Sequence, residues 1–367
     1  MAIRPLLAFE DLVRAPGPFL SVRLTTEGGV ANAGPRSHLR WWGLRDDLLR
    51  RGTPEEVVAI VDAHVPGAHR FGRVLHVVVT ADGSSFVEHA DGREPDLAVG
   101  RYESLPWTLP VLADRQRDIP HLLVLIDRRG ADITAVRRGG ALYEAYEATE
   151  EPITRQHKGG WADLNERRYQ RRAENSWERN AGEVAVEVER LARWAAAEVV
   201  LVAGDVRAVQ FLLADLPADT ASLVRTVGGE RWNADGGGGV HVDVVPLLDD
   251  LADATTGALL ARFAEERGRA GRAAEGVDDV VGALRAGQVE TLLIADDGAD
   301  VRTGWFGEDA HAIAATAASA RTLGLDVREG RLREALVRAA VGTDAAVRVV
   351  GTDAGPAEGI GALLRWS

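Results

Sequence analysis

The 367-residue chain has no cysteine, one methionine and one lysine, and only 5% of its residues are aromatic. The absence of cysteine excludes disulfides, thiolate metal sites and cysteine nucleophiles. No apolar run approaches the roughly 20 residues that a membrane-spanning helix needs. The N-terminus shows no positive segment followed by an apolar core, so no signal peptide is visible. We therefore expect a soluble cytoplasmic protein with no membrane contact.

Acidic residues outnumber basic ones, 56 against 43, which gives a net charge of −13. This is the wrong sign for indiscriminate binding of nucleic acid. Every basic residue except Lys158 is an arginine, as expected of a GC-rich genome. That bias needs no functional explanation, so the surroundings of the single lysine are of more interest than the arginines as a class.

Several common active-site motifs are absent. There is no phosphate-binding G-x-x-x-x-G-K-[S/T] loop, no G-x-G-x-x-G after a strand and no G-x-S-x-G elbow. The nine histidines show no spacing typical of metal ligands. The acidic pairs Asp249-Asp250 and Asp296-Asp297 lie at a helix start and at a turn, where acids are expected anyway. We expect no catalytic residue, no metal and no cofactor.

Length and hydrophobic pattern predict an α/β (α+β) fold in three compact domains, spanning residues 1–115, 118–246 and 247–367. The first combines a strand over 18–26, helices over 36–51 and from Thr53, and a hairpin over 74–89. The second has strands over 122–126, 132–136 and 199–203, a polar loop over 147–161 and a long helix over 164–197. The third alternates helices over 247–267, 276–286, 309–322 and 330–340 with strands over 291–295, 347–350 and 360–365.

Residues 155–179 differ from the rest of the chain because they hold seven basic residues and four acidic ones. On a helix, four of the arginines and one asparagine share one face at i, i+3, i+4, i+7 and i+11: Arg168, Arg171, Arg172, Asn175 and Arg179. Guanidinium groups on one face suit phosphate oxygens. The preceding Gly159-Gly160 pair allows close backbone approach, and Trp161 can stack on a base or ribose. The pattern predicts local RNA binding, but it also fits a solvated helix with Glu–Arg pairs.

A strand hairpin, a basic loop ending in Gly-Gly and a long arginine-rich helix together resemble the middle domain of archaeal and eukaryotic peptide release factors and of Pelota. In the release factors the loop carries Gly-Gly-Gln, preceded by basic residues and followed by Ser-Ala-x-Arg-x-x-Arg. Residues 157–162 here read His-Lys-Gly-Gly-Trp-Ala, and the corresponding helix carries Arg167, Arg168, Arg171 and Arg172. The stretches 277–284 and 289–294 are similar to the C-terminal domain of that family. The resemblance covers about residues 118–367.

This resemblance implies a particular arrangement and function. It implies three α/β domains arranged as in release factors and Pelota, and it points to the bacterial branch with its actinobacterial, dormancy-associated, Balon-like ribosome hibernation factors. The implied partner is the 70S ribosome at a vacant A site near the peptidyl-transferase centre, with elongation factor Tu as a further candidate partner. The implied RNA and ribosome contacts are His157, Lys158, Gly159, Gly160, Trp161, Arg167, Arg168, Arg171, Arg172 and Arg179.

The sequence departs from the family at the position of its catalytic glutamine, which helps to position the water that hydrolyses peptidyl-tRNA. Trp161 stands there instead, and its indole offers a single donor and no acceptor. We therefore expect a non-catalytic hibernation or stress factor that binds the ribosome.

Two alternatives from other classes stay open. One is an enzyme that hydrolyses peptidyl-tRNA or cleaves tRNA, for which His157 is the candidate general base near the loop. The other is a module that binds protein partners through its acidic domains and has no affinity for the ribosome.

Overall fold

The computed structural model describes residues 6–26, 33–66, 74–90, 98–127, 131–138, 145–147, 181–228, 244–269, 271–353 and 355–366. The chain divides into two compact units, one made of residues 1–118 with 249–367 and the other of residues 119–248. Helices and mixed sheets in both units confirm the predicted α/β fold class. The division into three domains, at the boundaries given above, stays a prediction.

The N-terminal segment of the first unit forms an antiparallel sheet in the order β3-β2-β1-β4. Its elements are α1 (Phe9–Arg14), β1 (Phe19–Thr25), α2 (Ala33–Arg50), α3 (Glu55–Asp62), β2 (Val74–Thr80), β3 (Ser85–Ala90), β4 (Val99–Glu103) and α4 (Leu109–Arg115). Alternate side chains of β2 enter two cores, Val77 the one under α2 and α3, and Val78 the one under α1. Both faces of the sheet are therefore covered.

The second unit is a five-stranded sheet in the order β7-β6-β5-β8-β9, in which β5 and β8 run parallel. Its elements are β5 (His121–Ile126), β6 (Ala131–Val136), β7 (Ala145–Glu147), α5 (helical residues 181–195), β8 (Val199–Gly204), α6 (Val206–Asp215), α7 (Ala218–Ser222) and β9 (Val224–Thr226). The predicted apolar stripe of α5 is confirmed, because Val184, Val188, Leu191 and Ala195 are all buried.

The C-terminal segment of the first unit contains a mixed sheet, β10-β16-β11-β15, and a small antiparallel one, β13-β12-β14. Its elements are α8 (Val245–Gly268), β10 (Ala273–Glu275), α9 (Val277–Arg285), β11 (Val289–Ala295), β12 (Thr303–Phe306), β13 (Ile313–Ala314), α10 (Ala317–Thr322), β14 (Arg328–Arg331), α11 (Leu332–Gly342), β15 (Ala346–Val350), a 3-10 turn (Ala357–Gly359) and β16 (Ile360–Leu364). Helices α9 and α11 pack on the larger sheet, which buries Leu284 and Leu336 with Leu292.

The predicted helix over 309–322 is wrong in its first half. Ile313 and Ala314 form β13, which pairs with β12, and α10 begins only at Ala317. The hydroxyl of Thr316 accepts a hydrogen bond from the Ser319 N–H and caps α10 at that point. The alanine-rich sequence fits a helix locally, but burial of Ile313 in the core favours the strand.

The two segments of the first unit share one hydrophobic core, although about 130 residues of sequence separate them. Leu105 and Leu109 lie in the same buried cluster as Leu336. The Gln116 side chain bonds both backbone groups of Val349, with its amide donating to the carbonyl at 2.9 Å and its oxygen accepting from the N–H at 3.1 Å. The N-terminal segment is therefore part of the C-terminal core, and we expect the two to unfold together.

Leu105→Ala tests this cooperation. Removing a buried leucine costs about 2–5 kcal/mol of unfolding free energy, so hydrogen exchange should speed up in peptides from residues 271–366 as well as around residue 105. The matched control is Val206→Ala on α6, whose side chain is exposed in the other unit. Unchanged exchange in the C-terminal peptides would show that the two segments unfold independently.

Candidate functional site

The predicted RNA and ribosome contacts lie outside the described residues. These are His157, Lys158, Gly159, Gly160, Trp161, Arg167, Arg168, Arg171, Arg172 and Arg179. The structure describes the parts of the second unit that precede and follow these residues in sequence. Strand β7 ends at Glu147, and the described part of α5 starts at residue 181. The sequence that carries the predicted site therefore connects an edge strand to a helix packed on the same sheet.

The described part of α5 shows what its own surface charges do. Arg190 Nη2 lies 2.7 Å from Glu187 Oε1, and Arg193 pairs with Glu189 one turn away. The hydrogen bond from Arg190 lowers the pKa of the Glu187 carboxyl. These are the solvated Glu–Arg pairs that were the alternative for residues 155–179. In this part of α5 each of these two arginine charges is neutralised by a glutamate of the same helix.

A second candidate site lies in the first unit, where the end of β11 meets β4 and α11. We call it the charged cluster, and its members are Arg101, Asp296, Asp297, Asp300, Arg302, Arg331, Arg333 and Glu334. The guanidinium carbon of Arg101 lies 3.9 Å from the centroid of the Trp107 ring. Burial and the neighbouring Arg331 lower the pKa of Arg101.

Asp300 is the centre of the charged cluster. Its Oδ2 accepts a hydrogen bond from Arg302 Nη2 at 2.7 Å and another from Arg333 Nε at 2.5 Å. Burial acts to raise the pKa of Asp300, but the hydrogen bonds from both arginines outweigh it and hold that pKa well below its usual range. Arg333 also donates to the carbonyl of Ala295 at the end of β11. The cluster is therefore an ion-pair network that ties α11 to the loop after β11.

Glu334 is the buried acid of this cluster, with 4% of its surface exposed. It accepts hydrogen bonds from the Thr108 N–H at 3.0 Å, from the Thr108 hydroxyl and from the Leu109 N–H at 3.4 Å. Burial nevertheless raises the pKa of Glu334 to about 7. This carboxyl joins the two segments of the first unit and titrates near neutrality.

A cleft of about 350 Å³ opens beside the charged cluster, at the carboxyl ends of the parallel strands β11 and β15. Asp297, Asp300, Arg302, Arg333, Thr352 and Glu358 line it. Ligands of α/β proteins often bind at this end of a sheet. Both arginines are already paired with Asp300, however, so the cleft presents neutralised charge and favours no particular ligand.

Sequence reasoning assigned Asp296-Asp297 to a turn and did not single out Asp300 or Glu334. The signal in the sequence is weak, because adjacent charged residues such as Arg333-Glu334 are typical of an exposed helix surface. Their flanks, Leu332 on one side and Ala335-Leu336 on the other, are the apolar context that indicates burial.

Within the described ranges, no three histidine, aspartate or glutamate side chains form a group able to hold a metal ion. The helices of this part of the chain include none whose length and apolar character would let it span a membrane.

Comparison with known proteins finds a family model that matches the middle of the chain. Residues 120–269 match the model of bacterial archaeo-eukaryotic release factor family 2. Two uncharacterized proteins of Mycobacterium tuberculosis, from strains CDC 1551 and H37Rv, are each 29% identical over 371 residues. The alignment covers 97% of this chain and 95% of each relative, so it includes both compact units.

Solved structures with a similar fold are more distant. An archaeal translation termination factor, aRF1, is 16% identical, with 97% of this chain and 96% of that one covered and a TM-score of 0.25. Archaeal Pelota bound to the ribosome is 15% identical, with 98% and 95% covered and a TM-score of 0.41. Saccharomyces cerevisiae Dom34 is 12% identical, with 80% and 79% covered and a TM-score of 0.41.

Glu334→Gln tests the role of the buried acid. Burial raises the pKa of Glu334 in the folded protein above its value in the unfolded chain, so the folded protein holds the proton more tightly. The protonated carboxyl therefore adds to the unfolding free energy below the unfolded pKa, and this contribution is lost as the pH rises toward about 7. Between about pH 5 and pH 7.5, the unfolding free energy of the wild type should fall relative to that of Glu334→Gln by up to about 1.4 kcal/mol per pH unit. Urea denaturation of the full-length wild type and of full-length Glu334→Gln at each pH measures the two unfolding free energies.

The control for this experiment is Glu329→Gln, which removes an exposed carboxylate from the neighbouring β14. It should follow the wild-type pH dependence. Parallel curves for the wild type and Glu334→Gln would show that Glu334 does not titrate in this range.

Proposed function

Because residues 120–269 match the model of bacterial archaeo-eukaryotic release factor family 2, we propose that this protein is a translation factor that binds the 70S ribosome. It occupies the vacant A site without cleaving peptidyl-tRNA and acts there as a hibernation or stress factor. The observation that carries the proposal is the position of the matched segment. It contains the Gly159-Gly160 pair followed by Trp161, where the family resemblance leads one to expect Gly-Gly-Gln.

The charges of residues 155–179 support the binding half of the proposal. They form a basic segment in a chain of net charge −13. Arg168, Arg171 and Arg172 share one face if the segment is helical. A guanidinium group can donate two parallel hydrogen bonds to the oxygens of one phosphate. RNA is therefore the ligand that fits this segment best.

The identity of residue 161 supports the non-catalytic half. A glutamine side chain both donates and accepts hydrogen bonds and can orient a water molecule, whereas an indole only donates. The large aromatic ring of Trp161 instead suits stacking on a base or ribose. A segment with tryptophan at this position can occupy a site near the peptidyl-transferase centre without activating water there.

The triple variant Arg168→Glu, Arg171→Glu, Arg172→Glu tests ribosome binding. The wild type should sediment with vacant 70S ribosomes through a sucrose cushion, and less of it should do so as salt rises. The triple variant should bind about tenfold more weakly or worse, with a flatter salt dependence, because up to three phosphate contacts are lost.

The matched control is Arg190→Glu with Arg193→Glu in α5. Both arginines are already paired with glutamates of their own helix, so their reversal should leave sedimentation with ribosomes nearly unchanged. Normal binding of the triple variant, or an equal loss in the control, would contradict the assignment of residues 155–179 to the ribosome. Added elongation factor Tu tests it as a further partner in the same assay.

Ribosomes that carry labelled peptidyl-tRNA and an empty A site test the absence of catalysis. The ester should stay intact with the wild-type protein over a time in which puromycin releases the peptide. Release by the wild type that His157→Ala abolishes would instead identify an enzyme with His157 as its general base.

A further inference from the structure

Two members of the charged cluster, Arg101 and Glu334, line the same small cavity and are not paired with each other. The cavity has a volume of about 20 Å³. Among the described residues, no hydrogen-bond acceptor binds the Arg101 guanidinium, which lies on the ring of Trp107. The Glu334 carboxyl accepts hydrogen bonds only from uncharged groups of Thr108 and Leu109. A cation without a carboxylate therefore lies beside a carboxyl without a cation, although a charge held out of water is costly without a partner.

The other arginines around this cavity already have carboxylate partners. Arg331 Nε lies 2.7 Å from Glu103 Oε2, and Arg333 is bound to Asp300. The charged groups that face Glu334 are Arg101 and Arg331, which favour its ionisation, and Asp296, which opposes it. Arg101 is thus the arginine of the cluster that is available to pair with Glu334.

The proton on Glu334 determines whether Arg101 gains anything by moving. Burial raises the pKa of Glu334 to about 7, so the carboxyl is neutral in mildly acidic solution and attracts the guanidinium little. Once it is ionised, a full negative charge lies in the same poorly solvated cavity. Attraction between opposite charges is strong where water is scarce, and it exceeds the attraction of a guanidinium to an aromatic ring.

Trp107 stays in place when its cation leaves. Its backbone N–H donates to the Ser21 hydroxyl of β1 at 2.9 Å, which fixes this residue to the sheet independently of Arg101. Arg101 is on the neighbouring strand β4, and its long side chain supplies the rotatable bonds that the change of partner needs. The movement therefore involves one side chain and leaves the backbone of both segments where it is.

We propose that Arg101 is a proton-controlled switch, which stacks on Trp107 while Glu334 is protonated and pairs with Glu334 once that carboxyl is ionised. The arrangement in the structure, with Arg101 on Trp107, is the protonated one. The device lies where the N-terminal and C-terminal segments of the first unit join. It goes beyond the proposed function, because none of its groups belongs to residues 155–179.

The test follows Trp107 by fluorine NMR in the full-length protein labelled with 5-fluorotryptophan. The nine tryptophans give nine resonances, and Trp107→Phe identifies the one that belongs to Trp107. Between about pH 5 and pH 8 this resonance should move along a single-proton titration curve. Its midpoint should be at about 7 or lower, because pairing with Arg101 favours the ionised carboxyl.

Three variants identify the groups that cause the shift. In Glu334→Gln the Trp107 resonance should keep one position throughout, because the carboxyl that recruits Arg101 is gone. In Arg101→Gln it should also stay constant, since the ring has no cation to lose. The control is Glu329→Gln, which removes an exposed carboxylate from β14 and should titrate like the wild type.

The Arg101→Gln titration decides between a moving arginine and a purely electrostatic effect. If the Trp107 resonance of this variant still follows the wild-type curve, the charge of Glu334 alone causes the shift, and the proposal is wrong. A wild-type resonance that does not titrate, or an unchanged curve in Glu334→Gln, also overturns it. Circular dichroism checks that each variant is folded, and Arg101→Gln alone decides the matter if Glu334→Gln does not fold. Ribosome sedimentation has no bearing on these results, so the proposed function and this inference fail independently.

Discussion

A single buried carboxylate joins the two segments of the first unit. Glu334, in the first turn of α11, accepts hydrogen bonds from the N–H groups of Thr108 and Leu109 at the start of α4. The first N–H groups of a helix have no partner within it, and the helix dipole favours negative charge there. Glu334 therefore caps α4 from a distant part of the sequence. This cap holds α4 against the C-terminal core, where Leu109 is buried with Leu336.

The two segments also contact each other where the chain leaves the first unit and where it returns. Arg117 donates to Asp249 and to Asp253, each at 2.8 Å, so the two points at which the first unit is interrupted lie side by side. Residues 119–248 are therefore an insertion in sequence between the two segments of the first unit. The basic segment 155–179 belongs to this insertion, whose own hydrophobic core is complete without the residues that Glu334 holds together.

Local periodicity predicted the buried face of α5 and most strands, because alternation and helical spacing depend only on which side of an element is buried. It failed over 309–322, where the sequence suits a helix but the core needs Ile313 in a strand. It also missed the charged cluster, since Arg333 and Glu334 find their partners far away in sequence. Contacts between distant segments leave no local pattern, so neither the shared core of the first unit nor the cap on α4 could be read from spacing.

The net charge of −13 does not describe what a phosphate near this protein would experience. Charges further apart than about 8 Å are largely screened at physiological salt, so distant acids do not cancel a local excess of arginine. Arginines that the fold neutralises, such as Arg333 with Asp300, offer an RNA little. Residues 155–179 differ in that their arginines accompany a tryptophan and a glycine pair in the sequence. The proposed RNA binding by residues 155–179 is compatible with an acidic chain, because the remaining surface repels the phosphate backbone.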